Sequence, residues 1–124
     1  MNTKAQILSG NVAAPRGFLA AGVSAGIKYK EKKDIALIFS EVVASAAGLF
    51  TTNRVKAAPL LVTAIRVKNG VAQAIVANSG SANACTGLQG LQDAVATAAE
   101  AARLLKIPPE SVLVASTGVI GQPL

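Results

Sequence analysis

Leu60-Leu61-Val62-Thr63-Ala64-Ile65-Arg66-Val67, then Lys68-Asn69-Gly70, then Val71-Ala72-Gln73-Ala74-Ile75-Val76-Ala77-Asn78 is the stretch on which the fold turns. Two apolar runs flank an Asn-Gly pair. Both central residues of a type I′ hairpin turn need positive φ, and Asn-Gly adopts it at little steric cost. The pattern predicts strands over 60–67 and 71–78, joined as a hairpin. The second run shows little apolar–polar alternation, which predicts cover on both of its faces.

Downstream, 79–90 is dense in Ser, Asn, Thr and Gly and reads as a loop. From Leu91 the period becomes helical. Leu91, Ala94, Val95, Ala98, Ala99, Ala102 and Leu105 fall on one stripe, which predicts a helix over 91–106 with Lys106 favourably placed at its carboxyl end. Ile107-Pro108-Pro109 stops it, and Pro109-Glu110-Ser111 makes a turn. Val112–Ser116 reads as a buried strand, with Thr117-Gly118-Val119-Ile120-Gly121 as a loop that begins where the strand stops. Upstream, Asp34–Ser40 and Ala44–Phe50 are two short apolar runs, read as strands, with a turn at Thr51–Asn53. Gly17, Gly22 and Gly26 punctuate a segment whose glycine density favours strand over helix. Lys28–Lys33 is a polar turn, and Met1–Arg16 reads as extended. The predicted class is α/β, in layers.

Composition limits the function. Hydrophobic residues make up 52% of the 124 and charged residues 15%, which excludes a disordered chain. Aromatics are 3% with no Trp, so the core is built from Ala, Val, Leu and Ile. The absence of His removes any Ser–His or Cys–His base and argues against a zinc or haem centre. Metal and cofactor sites are therefore not expected. Twelve Lys and Arg against six Asp and Glu give +6. The cations are scattered. Lys28, Lys30, Lys32 and Lys33 form the one run, with Tyr29 its sole ring, so no nucleic-acid patch is predicted and the run reads as a solvated turn. Anionic substrates are another use for such a field. The single Cys85 cannot form an internal disulfide, which points to a reducing compartment; the expected location is cytoplasmic. Gly17–Ile27 carries no charge, but eleven residues are too few to span a membrane.

Ser116-Thr117-Gly118 is the most chemical feature. A strand end can aim a hydroxyl and a backbone N–H into a cleft, and glycine lets a substrate oxygen approach that N–H. Two such donors make an oxyanion hole for acyl transfer. The plain alternative is a Thr-Gly turn. Asn78-Ser79-Gly80-Ser81-Ala82-Asn83-Ala84-Cys85-Thr86-Gly87 could hold a phosphate at a helix N-terminus, but it lacks the P-loop ending and the dinucleotide spacing. Its side chains are better read as satisfying buried backbone groups in a tight loop. Cys85 has no His to activate it and reads as a small buried thiol. Asp34, Glu41, Asp93, Glu100 and Glu110, five of the six acids, are dispersed, with no spacing that demands acid–base work. Thr51–Lys56 could meet an anion, but reads as a polar turn into the strand at Leu60.

Four blocks, in order, carry a resemblance. Gly17-Phe18…Ala21-Gly22-Val23…Gly26-Ile27-Lys28, then Phe50-Thr51-Thr52-Asn53-Arg54-Val55-Lys56-Ala57-Ala58-Pro59, then 78–87, then Ser116-Thr117-Gly118-Val119-Ile120-Gly121 resemble the N-terminal half of the ornithine acetyltransferase (glutamate N-acetyltransferase) family of arginine biosynthesis. Ser81 stands where that family has Asn. The resemblance implies a mixed α/β sandwich, incomplete without the rest of an α chain and a β chain. Residues 1–124 would be one segment, the front of that α chain, inactive alone. It implies a precursor that cuts itself at an Ala–Thr bond, and a new N-terminal Thr that carries acetyl from N-acetylornithine to glutamate, with acetyl-CoA a further donor in some members. It implies an α2β2 heterotetramer. Carried over, the oxyanion hole is the Thr117 side chain and the Gly118 N–H. No family-type junction occurs here; Ala96-Thr97 lies inside the predicted helix and is rejected. The principle that fits is simple: a terminal Thr can use its own α-amine, of pKa about 7.7–8.0, as base, so such an enzyme needs no His. A related self-processing amidohydrolase or aminopeptidase, giving the acyl group to water, is the alternative. A non-enzymatic nucleic-acid binder ranks far below both.

Overall fold

The computed structural model describes residues 9–124. Its elements are β1 (Phe18–Val23), β2 (Ile35–Ser45), α1 (Ala58–Arg66), β3 (Val71–Ser81), α2 (Gly87–Leu105) and β4 (Val112–Val119). The strands form one sheet in the order β1-β2-β3-β4. The β1–β2 and β2–β3 pairs are antiparallel, whereas β3 and β4 run parallel, joined by the crossover through α2.

The hairpin over 60–78 does not form. Residues 58–66 are helical, a short 3₁₀ turn follows at Val67–Asn69, and Gly70 leaves it at φ 74° with its N–H on the Val67 carbonyl at 3.0 Å. The physics behind the expectation was sound but not selective. Positive φ serves a type I′ turn, and it serves equally to end a helix. Pro59 is the signal that separates the two cases. Proline sits comfortably in the first turn of a helix, where its missing N–H has no partner to lose. Ala58 and Val62, four apart, then form the buried stripe, while Leu61 and Ile65 face outward.

Other boundaries move as well. The two strands expected at 34–40 and 44–50 are one strand, β2, interrupted by a register shift between Phe39 and Ala44; 46–50 lies outside it. An irregularity of that kind splits the apolar pattern without ending the strand. The extended reading of Met1–Arg16 falls partly outside the described residues. Within them, 9–16 is turn, with Ala14 N–H on Asn11 O at 2.9 Å and Ala13 N–H on Asn11 Oδ1 at 2.9 Å. An Asn side chain that satisfies its own neighbours favours a turn over a strand. The turn at Lys28–Lys33 and the strand over 18–23 are present.

The core lies between one face of the sheet and the two helices. Gly90, Ala94, Ala98 and Ala102 are buried along α2, and small side chains at this i, i+4 spacing let the helix lie close to β3 and β4. The buried stripe is narrower than expected, for Leu91 and Val95 are 36% and 45% exposed. Ala74, Val76, Val112 and Val114 meet the helices from the sheet, and Val112 is fully buried. Burial in β3 alternates, with Ala72, Ala74 and Val76 inside and Val71 and Ile75 outside. The described residues therefore cover one face of β3, not both.

α2 ends without glycine. Lys106 holds the left-handed conformation at φ 57°, and Ile107 N–H returns to Ala102 O at 3.0 Å. This closing turn normally employs glycine because a Cβ is strained there. Lys106→Gly is expected to raise stability by about 0.5–1 kcal/mol, read as an upward shift of the urea-unfolding midpoint. A downward shift would show that the lysine side chain outweighs the backbone strain.

Candidate active site at the end of the β3–β4 ladder

Thr117 and Gly118 lie inside β4, not in a loop after it. The strand continues because of who sits opposite. Ser79, Gly80 and Ser81 extend β3 alongside Thr117, Gly118 and Val119. Gly118 has φ 134°, and a Cβ placed on it would lie 2.4–2.8 Å from the backbone of Gly80. The two main chains can approach only because neither residue carries a side chain.

Hydrogen-bond parity then decides where each amide points. In a parallel ladder, alternate residues of a strand turn their main-chain groups to the neighbour, and the rest turn theirs away. Ala82 N–H donates to Val119 O at 2.9 Å, so Val119 and Thr117 face β3. Val114 faces the opposite way: Thr63 Oγ1, from α1, accepts from Val114 N–H at 2.9 Å and donates to Val114 O at 2.6 Å. Arg66 donates to Val112 O at 2.6 Å on the same side. Residues 112, 114, 116 and 118 thus turn their amides to the outer edge of the sheet. α1 closes that edge at the first two. At Gly118 the helix is past, and the N–H points to the open edge.

The side chains beside it are organised. Asn78, buried, donates from Nδ2 to Ser81 O at 2.9 Å and accepts on Oδ1 from Ser116 Oγ at 2.5 Å. Thr117 and Gly118 are exposed, and no hydrogen bond from the Thr117 hydroxyl occurs among the described residues. A cavity of about 260 Å³ reaches from Phe50 and Pro59 past Thr63 to Ser116 along this edge.

The 78–87 segment divides into two parts. Its first residues belong to β3. The rest form a loop whose side chains serve its own backbone. Asn83, almost wholly buried, donates from Nδ2 to Gly90 O at 2.8 Å and accepts from Thr86 Oγ1 at 2.7 Å, while Ser81 Oγ donates to Gln122 O at 3.0 Å and accepts from Asn83 N–H at 3.1 Å. Cys85 is exposed, contrary to expectation. It occupies a left-handed turn at φ 56° just ahead of α2, which holds its side chain off the core. Thr51–Asn53, expected as a polar turn, is irregular backbone in which Asn53 N–H donates to Thr51 Oγ1 at 3.1 Å, and it leads into a helix rather than a strand.

Three contributors escape sequence reasoning. Thr63 and Arg66 act on β4 across 51 and 46 residues, a separation that no local pattern encodes. Asp34 is the third. Its carboxylate is buried and accepts from Ala25 N–H and Ile27 N–H, both at 2.6 Å, and these donors, Ala25 foremost, hold its pKa below the usual 3.8. It fastens the 24–33 turn against the sheet beside Gly80, where a Cβ would lie 2.9 Å from Ile27 Cγ2. Among the described residues no group of three or more His, Cys, Asp or Glu is placed to hold a metal ion, and no helix is long and apolar enough to cross a membrane.

The ArgJ family model matches residues 19–124. The chain belongs to the ArgJ family. It is 57% identical over 119 residues to the arginine biosynthesis bifunctional protein ArgJ of Caldanaerobacter subterraneus, covering 96% of this chain and 29% of that protein. The ArgJ of Streptococcus mutans is 57% identical over 117 residues, with 94% and 29% covered. Among solved structures, ArgJ from Bacillus halodurans superposes with a TM-score of 0.89 at 46% identity, covering 93% of this chain and 60% of that one. Ornithine acetyltransferase from Mycobacterium tuberculosis, solved with ornithine, gives 0.86 at 50% identity, with 91% and 62% covered. The mixed α/β architecture is that of these ArgJ structures. The chain spans about 30% of the length of the curated relatives it matches.

Two outcomes follow for this ArgJ segment. Thr63→Val leaves the Val114 N–H and C=O without partners and is expected to cost about 1–3 kcal/mol in chemical denaturation, with Thr63→Ser near wild type; equal stability of the Val variant would show that water replaces the hydroxyl. Asp34, with its folded pKa depressed, stabilises the folded state above its unfolded value, and that contribution is lost as pH falls through the folded value. The amide shifts of Ala25 and Ile27 should titrate together with a midpoint below 3.8, and a midpoint above it would contradict the assignment.

Proposed function

We propose that this chain supplies the oxyanion hole of an ornithine acetyltransferase of arginine biosynthesis, through the Thr117 hydroxyl and the Gly118 N–H. The observation that carries the reading is the ladder parity that turns the Gly118 amide to the open edge, next to an exposed Thr117. Membership of the ArgJ family and the ornithine in the Mycobacterium tuberculosis enzyme support the reaction.

In this mechanism the hydroxyl of an N-terminal Thr, on a β chain cut from the same precursor, attacks the acetyl carbonyl of N-acetylornithine. The terminal amine takes the hydroxyl proton. The carbonyl oxygen gains a negative charge, and Thr117 Oγ1–H and Gly118 N–H donate to it. The C–N bond then breaks, ornithine leaves with the proton, and acetyl remains as an ester on the Thr oxygen. The α-amine of glutamate attacks that ester through a second tetrahedral oxyanion in the same hole, and N-acetylglutamate leaves as the Thr hydroxyl reforms. No cofactor enters these steps, and acetyl-CoA, a further donor in some members of the family, would acylate the same Thr. The 124 residues alone are inactive on this reading, since the nucleophile is not among them. The working assembly is an α2β2 heterotetramer in the cytoplasm.

A comparison of lengths favours self-cleavage. The matched stretch is 29% of the full-length Caldanaerobacter relative but 60% of the crystallised Bacillus chain. The crystallised chain is thus roughly half as long, as a chain cut from a precursor would be.

The proposal is tested in the full-length enzyme. Thr117→Ala should lower kcat about 10²–10³-fold, the usual effect of losing one oxyanion donor. An unchanged kcat in a steady-state assay would refute the role. Release of acetate to water, in place of N-acetylglutamate formation, would turn the assignment to an amidohydrolase.

A further inference from the structure

The hole assigned above depends on an angle that the strand itself does not set. Gly118 has φ 134°, and Gly80, opposite it, has φ 110°. Both values lie outside the range of an ordinary strand, in a region open mainly to glycine. Two facing glycines can approach closely, yet each can also rotate away at little steric cost. The direction of the Gly118 N–H therefore has to be held from outside the pair.

Asn78 is placed to hold it. Along β3 burial falls on Ala72, Ala74 and Val76, all apolar, and the next residue in that alternation is Asn78. A buried amide costs more there than an apolar side chain unless both of its ends are bonded. Both are. Oδ1 accepts from Ser116 Oγ at 2.5 Å, directly across the ladder, and Nδ2 donates to Ser81 O at 2.9 Å, three residues ahead on its own strand. One side chain thus grips β4 just before Thr117-Gly118 and β3 just after Gly80. An amide is suited to both tasks: a carboxylate could accept from Ser116 but not donate to Ser81 O, and an aliphatic side chain could do neither.

The far side of the pair is tied separately. Ala82 N–H donates to Val119 O at 2.9 Å, Gly121 N–H to Ala84 O at 2.8 Å, and Ser81 Oγ to Gln122 O at 3.0 Å. Between these bonds and the Thr63 clamp at Val114, the Ser116 hydroxyl is the side-chain anchor on the approach to the two donors. The cavity along the outer edge reaches Ser116, so the hydrogen bond to Asn78, rather than close packing, fixes it.

We propose that Asn78 is a positioning residue for acyl transfer: by holding Ser116 and Ser81 O on either side of the Gly80–Gly118 contact, it sets the angle at which the Gly118 N–H and the Thr117 hydroxyl meet the oxygen of the reacting carbonyl. The inference rests on the oxyanion-hole reading and names what aims that hole. Asn78 itself meets no substrate and acts through Ser116. Such aim matters because oxyanion donors count most when they already point to where the charge develops.

The test uses the full-length enzyme. Its readout is the single-turnover rate constant for acetyl transfer from N-acetylornithine to the enzyme, which does not depend on how much of a preparation is folded. Asn78→Ala and Ser116→Ala should each lower it roughly 10–10²-fold, the scale of a small misplacement of reacting groups. The half-saturating concentration of N-acetylornithine should not change, since the loss falls on the transition state alone. Ser116→Thr, which keeps the hydroxyl, should restore the wild-type rate. The double alanine variant should be no slower than Asn78→Ala, because both changes break the same bond. A wild-type rate in Ser116→Ala, a loss that appears in half-saturation instead of rate, or a double variant slowed by the product of the two singles overturns the inference. If Asn78→Ala does not fold, Ser116→Ala and Ser116→Thr decide it. Thr117→Ala, measured alongside, separates the two readings. A slowed Thr117→Ala beside unaffected Asn78 and Ser116 variants removes the role of Asn78 and leaves the hole; an unaffected Thr117→Ala removes both.

Discussion

The contact between Gly80 and Gly118 is the constraint on which the rest depends. Two main chains lie so close across the β3–β4 ladder that a Cβ on Gly118 would overlap the Gly80 backbone. With that contact in place, the parallel pairing continues to Val119. The parity of the ladder is then carried to its end, and the Gly118 amide must turn outward. Without it, the strand would part from its neighbour near Ser116, and the direction of the last amides would be left to a loop.

A second element makes that direction useful. The edge of β4 would ordinarily be a row of open donors and acceptors, able to pair with any passing strand. Thr63 and Arg66 occupy it at Val114 and Val112. The α1 helix thereby acts as a partial substitute for a fifth strand and stops short of Gly118. Asn78 does comparable work inside the sheet, where its two amide ends hold Ser81 and Ser116 and fix the strand just before the pair that matters. One outward amide at the edge and two polar clamps behind it fix the direction of the strand end while much of its surface stays open.

Part of this arrangement was legible in the residues. The Thr117-Gly118 pair stands out as a hydroxyl followed by glycine at the end of an apolar run, a pattern that a plain Thr-Gly turn shares. The 78–87 loop announces its self-satisfying network through its density of Asn, Ser and Thr, as Asn83 and Thr86 show. The long contacts were not legible. Thr63 looks like any threonine in an apolar run, and Asp34 like any acid at a strand start. Their partners lie far along the chain, or on a turn whose path is set by packing.

The sequence by itself determined the α/β class, the helix that ends at Pro108-Pro109, the small-residue core and the membership implied by four ordered blocks. Those features depend on local propensity, on apolar period and on side-chain size, all of which are written along the chain. The tertiary structure alone decided that Asn69-Gly70 closes a helix rather than a hairpin, that β4 runs through Thr117-Gly118, and that Cys85 faces outward. Each of these turns on which distant segment lies alongside. A left-handed residue, an apolar run or a strand end fits more than one arrangement locally, and only packing against β3 and α1 selects among them.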